Sequence, residues 1–173
     1  MGDPAQTMEQ DLFLKKTAVV GAGLMGSQIG LVLALGSWET VLTSRRQESL
    51  DRALEAIRRY AGDLDRHGLL RGETPEAVIG RIRTATEVAE AVDDAAFVVE
   101  SIPEELEAKQ ALFERMETAA PREAILVSNT SGLPITDLGA RMVHQNRIAG
   151  SHFVQPGHIV PVVEVIRGRE TSD

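Results

Sequence analysis

Apolar residues in this chain gather in short blocks separated by polar turns, and the blocks come in two kinds. Thr17–Val20 is a compact, partly β-branched run that stops at Gly21, and the longer apolar stretch Met25–Leu35 follows after a single turn. The first reads as a buried strand and the second as a buried helix. Thr40–Thr43 predicts the next strand, closed by Ser44-Arg45-Arg46, so that strand, helix and strand form a first βαβ unit. From Glu48 the apolar positions Leu50, Leu54, Ile57, Ala61 and Leu64 advance by alternating steps of four and three, the stripe of an amphipathic helix, with His67-Gly68 at its end. Thr74-Pro75-Glu76 predicts a short helix in which Thr caps the terminus and Pro takes the first helical position. Ile82–Ala85 is a weaker strand.

Ala96–Val99 predicts a further buried strand, followed by Pro103, Glu104 and Glu105, which suit the start of a helix running to about Thr118. Ile125–Val127 is another strand and runs into Ser128-Asn129-Thr130-Ser131-Gly132. Arg147–Phe153 and Val162–Ile166 are the last two strand candidates. Strands alternating with helices predict an α/β fold: a Rossmann-type, doubly wound, mostly parallel sheet covered on both faces. Residues 1–16 read as a polar arm and 17–173 as one domain. Ligands of such sheets gather at the carboxyl ends of the strands, which points to 21–26, 44–46, 101–104 and 128–131 as one rim.

At 173 residues and 43% hydrophobic, the chain has material for one substantial core. The formal charge of −8 repels a nucleic-acid backbone, so nucleic acid is excluded as an expected partner, although a local cationic pocket for one phosphorylated cofactor needs only two or three placed cations. Cysteine is absent, which removes disulfides, thiolate zinc sites and cysteine nucleophiles, and no metal site is read. Met1–Gln10 lacks the apolar core of a secretory signal, and Ile29–Leu35 is too short to span a bilayer. A cytoplasmic protein without a membrane partner is the expectation.

Gly21-Ala22-Gly23-Leu24-Met25-Gly26 fits G-x-G-x-x-G and lies where its mechanism requires, between the first strand and a helix. Gly21 permits the tight turn, Gly23 lets a pyrophosphate approach the backbone, Gly26 lets helix and strand pack closely, and the helix N-terminus offers N–H donors to the anion. A dinucleotide cofactor is the expectation. About 20 residues further on, NAD enzymes usually carry an acid that holds the ribose 2′-hydroxyl. Here Ser44 takes that place, followed by Arg45 and Arg46. A hydroxyl and a guanidinium suit a 2′-phosphate, so NADP is favoured over NAD; solvated arginines opening a surface helix are the plain alternative.

The segments Val98-Val99-Glu100-Ser101-Ile102-Pro103-Glu104 with Lys109, Ser128-Asn129-Thr130-Ser131-Gly132-Leu133-Pro134-Ile135-Thr136, Gly150-Ser151-His152-Phe153 and Val162-Val163-Glu164-Val165-Ile166 occur in one order. Together with the glycine-rich turn, they make the chain from about Thr17 to Asp173 resemble the cofactor domain of the L-3-hydroxyacyl-CoA dehydrogenases. The resemblance implies that His152 is the catalytic histidine, Glu164 its carboxylate partner and Ser131 the active-site serine. It also implies that Glu104 and Lys109 line the cofactor, with Ser101 in the adjoining turn. The chemistry is coherent: moving hydride between a secondary alcohol and a nicotinamide leaves a proton to be handled, and imidazole, with an ordinary pKa of about 6.5, handles it near neutrality when a carboxylate orients it. His67, His144 and His158 carry no such support and read as surface or loop residues.

Four features depart from the family pattern. Ser44 stands for the usual acid. Gln155-Pro156 stands for Asn-Pro, where the longer amide alters a cofactor or substrate contact. Between Ala61 and Arg81 no lysine matches the one many members place near the CoA phosphates. In the family a helical domain follows, closes the cleft and usually makes the dimer, and on its absence here the expectation is nucleotide binding without efficient turnover by this chain alone. The implied reaction is hydride transfer between NADP(H) or NAD(H) and a 3-hydroxyacyl-CoA or 3-ketoacyl-CoA substrate. The alternatives are a dehydrogenase of free 3-hydroxy acids, of the gulonate or carnitine type, and a non-catalytic nucleotide-binding module.

Overall fold

A computed structural model describes residues 16–172, so the arm read over 1–16 falls, but for Lys16, outside the described residues. Seven strands form one sheet: β1 (Lys16–Val20), β2 (Thr40–Thr43), β3 (Ile82–Ala85), β4 (Ala95–Glu100), β5 (Ile125–Ser128), β6 (Ile148–Phe153) and β7 (Val163–Arg167), in the spatial order 3-2-1-4-5-6-7. Every neighbouring pair is parallel except β6 with β7. The order reverses between β1 and β4, and a doubly wound sheet opens its ligand crevice at such a reversal.

Helices α1 (Leu24–Leu35), α2 (Gln47–Arg66) and α3 (Pro75–Ile79) cover one face; α4 (Val88–Val92), α5 (Leu106–Ala119) and α6 (Ile135–Leu138) cover the other. Successive residues of a strand feed opposite cores, as the pleat requires: Ala18 and Val20 pack with α4 and α5, whereas Val19 packs with α1 and α2. The stripe on α2 buries Leu50, Ala53, Ile57, Ala61 and Leu64. Thr74 caps α3 by accepting the Ala77 N–H, with Pro75 at the first helical position. Helix α4 was not legible in the sequence. It is a single turn and too short to show a period.

Register brings the functional rim level. Val20 faces Thr43 on one side and Glu100 on the other; Glu100 faces Ser128, and Ser128 faces Gly150. The turns that follow are laced together by Gly21 N–H to Thr43 O (2.9 Å), Ser101 N–H to Val20 O (2.8 Å) and Asn129 N–H to Glu100 O (2.8 Å). The rim anticipated from the strand ends is therefore contiguous.

Candidate active site

The glycine turn has three distinct environments. Gly21 has φ +116°, in the region that favours glycine, and a Cβ there would lie 2.4 Å from the Ser101 carbonyl oxygen. A Cβ on Gly26 would lie 1.8 Å from the Gly21 oxygen, which is how the start of α1 presses against its own turn. A Cβ on Gly23 meets nothing within 4 Å, so this backbone is open on the side from which a ligand approaches. Helix α1 starts with no side-chain cap and no acid in its first turn. Its end therefore presents uncapped N–H donors and partial positive charge to an anion. Those properties fit a pyrophosphate.

A cleft of 830 Å³ runs past this turn and is lined by Gly21–Leu24, Ser44, Arg45, Ser101 and the apolar side chains of Val88, Ile102 and Leu112. Arginines also come from positions the sequence reading did not single out: Arg52 and Arg59 on α2 and Arg115 on α5. The signal was present in principle. Arg52 and Arg59 are seven apart, two turns of helix, which places them on one face beside the buried stripe. Arg46 does not line the cleft; it is exposed at the N-cap of α2.

Beneath the neighbouring turns lies a buried ionic network. Glu100 is fully buried and Lys109 is 1% exposed; Lys109 Nζ donates to Glu100 Oε1 (2.6 Å) and to the Ile102 carbonyl (3.2 Å), and it pairs with Glu104 Oε2 (3.2 Å). Glu100 also accepts the Ile102 N–H and the Ser128 hydroxyl. Glu104 Oε1 accepts the Thr130 hydroxyl and the N–H groups of Ser131 (3.1 Å) and Gly132 (3.3 Å). Burial pushes the Glu104 carboxyl up, but the Thr130 bond, the charge and hydrogen bond of Lys109 and the Ser131 N–H outweigh it and hold the group below the usual carboxylate range. The structure thus places Lys109 under the rim, where burial leaves it no surface toward a nucleotide, and gives Glu104 the task of shaping the Ser131 turn. Sequence spacing alone does not separate a cofactor-lining lysine from one beneath the lining.

At the far end of the rim, His152 and Glu164 are direct cross-strand partners on β6 and β7. His152 Nδ1 lies 2.7 Å from Glu164 Oε2, and Nε2 lies 3.3 Å from the Ser131 hydroxyl. With Nδ1–H donating to the carboxylate, Nε2 is left as an acceptor facing the rim. Asn129 Oδ1 accepts the Phe153 N–H (2.9 Å), locking the β5 turn that carries Ser131 to the strand that carries His152. Gln155 is exposed in the loop after β6 and does not line the cleft. Among the described residues no cluster of potential metal ligands occurs and no helix is long and apolar enough to cross a membrane.

The family described as the NAD-binding domain of 3-hydroxyacyl-CoA dehydrogenase matches residues 16–173. A probable 3-hydroxybutyryl-CoA dehydrogenase of Deinococcus radiodurans is 39% identical over 158 residues, covering 91% of this chain and 56% of that protein. A 5-formyl-3-hydroxy-2-methylpyridine 4-carboxylate 5-dehydrogenase of Mesorhizobium japonicum is 30% identical, with 92% and 50% covered. The crystal structure of an Escherichia coli 3-hydroxybutyryl-CoA dehydrogenase superposes with a TM-score of 0.86 at 33% identity, covering 92% of this chain and 34% of that one. The chain thus spans about half the length of the two curated relatives. By its matched residues, its sheet order and its glycine turn, the chain belongs to the 3-hydroxyacyl-CoA dehydrogenase family, as that family's NAD-binding domain.

Proposed function

We propose that this chain is the nucleotide-binding and proton-handling part of an oxidoreductase that interconverts a 3-hydroxyacyl thioester and its 3-keto counterpart. The observation that carries the reading is the chain of contacts from Ser131 through His152 to Glu164, on the same rim as the open glycine turn. The nicotinamide ring, when bound, supplies the hydride acceptor in oxidation and the hydride donor in reduction. In the oxidative direction His152 Nε2 takes the hydroxyl proton as the alcohol becomes a ketone. Glu164 holds the ring in the Nδ1–H tautomer and favours the imidazolium that results. The Ser131 hydroxyl is placed to hydrogen-bond the substrate oxygen beside Nε2. In reduction the same proton returns from Nε2.

The preferred nucleotide in this reading is NADP(H). Ser44 brings no negative charge to the end of β2, and Arg45 and Arg52 line the cleft beside it, a setting that suits a 2′-phosphate. The cell compartment proposed is the cytoplasm.

The test is steady-state kinetics, with 3-hydroxybutyryl-CoA and with free 3-hydroxybutyrate, of this domain complemented by the helical domain of its family. His152→Ala is expected to lower kcat by about 10²–10⁴ while nucleotide affinity stays within about twofold. Activity unchanged by His152→Ala removes the assignment. Turnover of the free acid in preference to the thioester moves the substrate to the class of free 3-hydroxy acids.

A further inference from the structure

Hydroxyl groups buried in and around the sheet mostly find partners. Thr17 and Thr40 lie 3.0 Å from each other and reach the carbonyls of Glu39 and Trp38, Ser128 donates to Glu100, and Thr130 donates to Glu104. Thr43, the last residue of β2, is the exception. It is fully buried, and among the described residues its Oγ1 is the one buried hydroxyl with no hydrogen-bond partner. A buried hydroxyl left unbonded costs stability, and valine, of the same shape and equally suited to a strand, avoids that cost.

Register fixes where the side chain lies. Thr43 faces Val20 on β1 and Ala85 on β3, and both belong to the core covered by α4 and α5. In-register neighbours share a face of the sheet, so Thr43 points to that side. There it forms part of the lining of the 830 Å³ cleft, between Ser44 and the apolar side chains of Val88, Ile102 and Leu112. The Thr43 carbonyl, in turn, accepts the Gly21 N–H at 2.9 Å, which ties this end of β2 to the glycine turn. A dinucleotide with its pyrophosphate on that turn and its ribose beside Ser44 carries its base into the apolar recess. An apolar recess with a single placed polar group is what a flat heterocycle needs for both burial and orientation.

We propose that the Thr43 hydroxyl is a base-binding group that hydrogen-bonds the adenine ring of the nucleotide received between β2, α4 and α5. The inference rests on the reading of the cleft as a nicotinamide-dinucleotide site. Threonine carries a hydroxyl and a methyl on Cβ, and a turn about χ1 between staggered positions aims the oxygen at a ring seated against it. As a donor the hydroxyl meets a ring nitrogen and as an acceptor the 6-amino group, so either kind of polar edge on adenine gives it a partner. The 2′-phosphate takes no part, and NADH and NADPH share the contact.

The test compares the full chain with Thr43→Val and Thr43→Ser, by thermal melting without nucleotide and by titration with NADH, NADPH and ADP-ribose. Thr43→Val removes the hydroxyl at constant shape; it is expected to melt about 2–4 °C higher and to bind each ligand about five- to tenfold more weakly. A threonine with a purely structural role does not give opposite signs in the two measurements. Thr43→Ser keeps the hydroxyl and is expected to bind within about twofold of the unsubstituted chain, while its missing methyl lowers the melting temperature. A Thr43→Val chain that melts no higher than the unsubstituted one overturns the proposal, because its hydroxyl was then not left unbonded. So does unchanged affinity in Thr43→Val, or a loss seen with NADH and absent with ADP-ribose. When the unsubstituted chain binds NADH or NADPH and Thr43→Val binds them equally well, this contact alone falls; when the unsubstituted chain binds neither, the oxidoreductase reading falls with it.

Discussion

Lys109→Met asks how the rim is held up, because Lys109 is the buried cation that joins two acids, the fully buried Glu100 and the more exposed Glu104. The substitution keeps the length and most of the volume of the side chain while removing its charge and its donors. Glu100, fully buried, then loses its counter-ion at 2.6 Å; the Ile102 carbonyl loses a donor at 3.2 Å, and Glu104 loses the charge that supports its ionised form. Breaking a buried pair by deleting one partner costs about 3–5 kcal/mol, because the other charge is left uncompensated. For a domain of this size that corresponds to a fall in Tm of about 10 °C or more. Adding Glu100→Gln removes the stranded charge and leaves an oxygen for the Ile102 N–H, so the double variant is expected to regain more than half of the loss. Urea unfolding followed by circular dichroism reads both numbers. A single variant within 1 kcal/mol of the unsubstituted chain, or a double variant less stable than Lys109→Met, refutes the reasoning.

Further outcomes follow from the same geometry. Ser44→Asp places a carboxylate where a 2′-phosphate is proposed to bind; at an effective dielectric near 20 the repulsion is a few kcal/mol, and the acid gains a bond to a free 2′-hydroxyl. The ratio of NADPH to NADH affinity, measured by fluorescence titration, is therefore expected to fall at least 100-fold (~3 kcal/mol), and an unchanged ratio counts against the phosphate reading. Gly23→Ala adds a methyl in open space and is expected to melt within about 0.5 kcal/mol of the unsubstituted chain while weakening nucleotide binding. Gly26→Ala drives a methyl into the Gly21 carbonyl and is expected to lose about 1–3 kcal/mol of stability as well; equal melting of the two variants contradicts the packing argument. Glu104 has its folded pKa held below the ordinary value, so the unfolded chain binds its proton more readily. The stability it contributes is present above the ordinary Glu pKa of about 4.3 and is lost as pH falls through the folded value. Thermal melts between pH 6 and 2 (about four pH units) should show Glu104→Gln with the shallower acid slope.

Much of the site could be read from order and spacing. The glycine turn declared itself because a strand, a hexapeptide and a helix occur in immediate succession, and that succession is local. His152 and Glu164 were paired through the family resemblance, and their cross-strand register shows the physical reason for the spacing: the connecting loop lets two adjacent strands set them opposite each other. Lys109 was less legible, since one helical turn decides whether a lysine faces a cleft or the space beneath it. His158 read as a loop residue, which it is; its stacking partner lies on α2, far away in sequence. Arg52 and Arg59 went unremarked because charged residues on an amphipathic helix usually face water, and only the packing of α2 against the sheet turned theirs toward the cleft.

The sequence by itself determined the elements and their kind, because hydrophobic period and turn chemistry act over a few residues. It determined the rim as well, since parallel strands of similar length end level. The tertiary structure alone decided which charges were to be buried together, which arginines face the nucleotide cleft, and which helix residue bonds the loop after β6. Those depend on contacts such as Glu100 with Ser128 and Gly157 with Gln28, between groups 28 and 129 residues apart. No local pattern encodes such a meeting; it exists only once the sheet has set the register of its strands and the helices have closed over both faces.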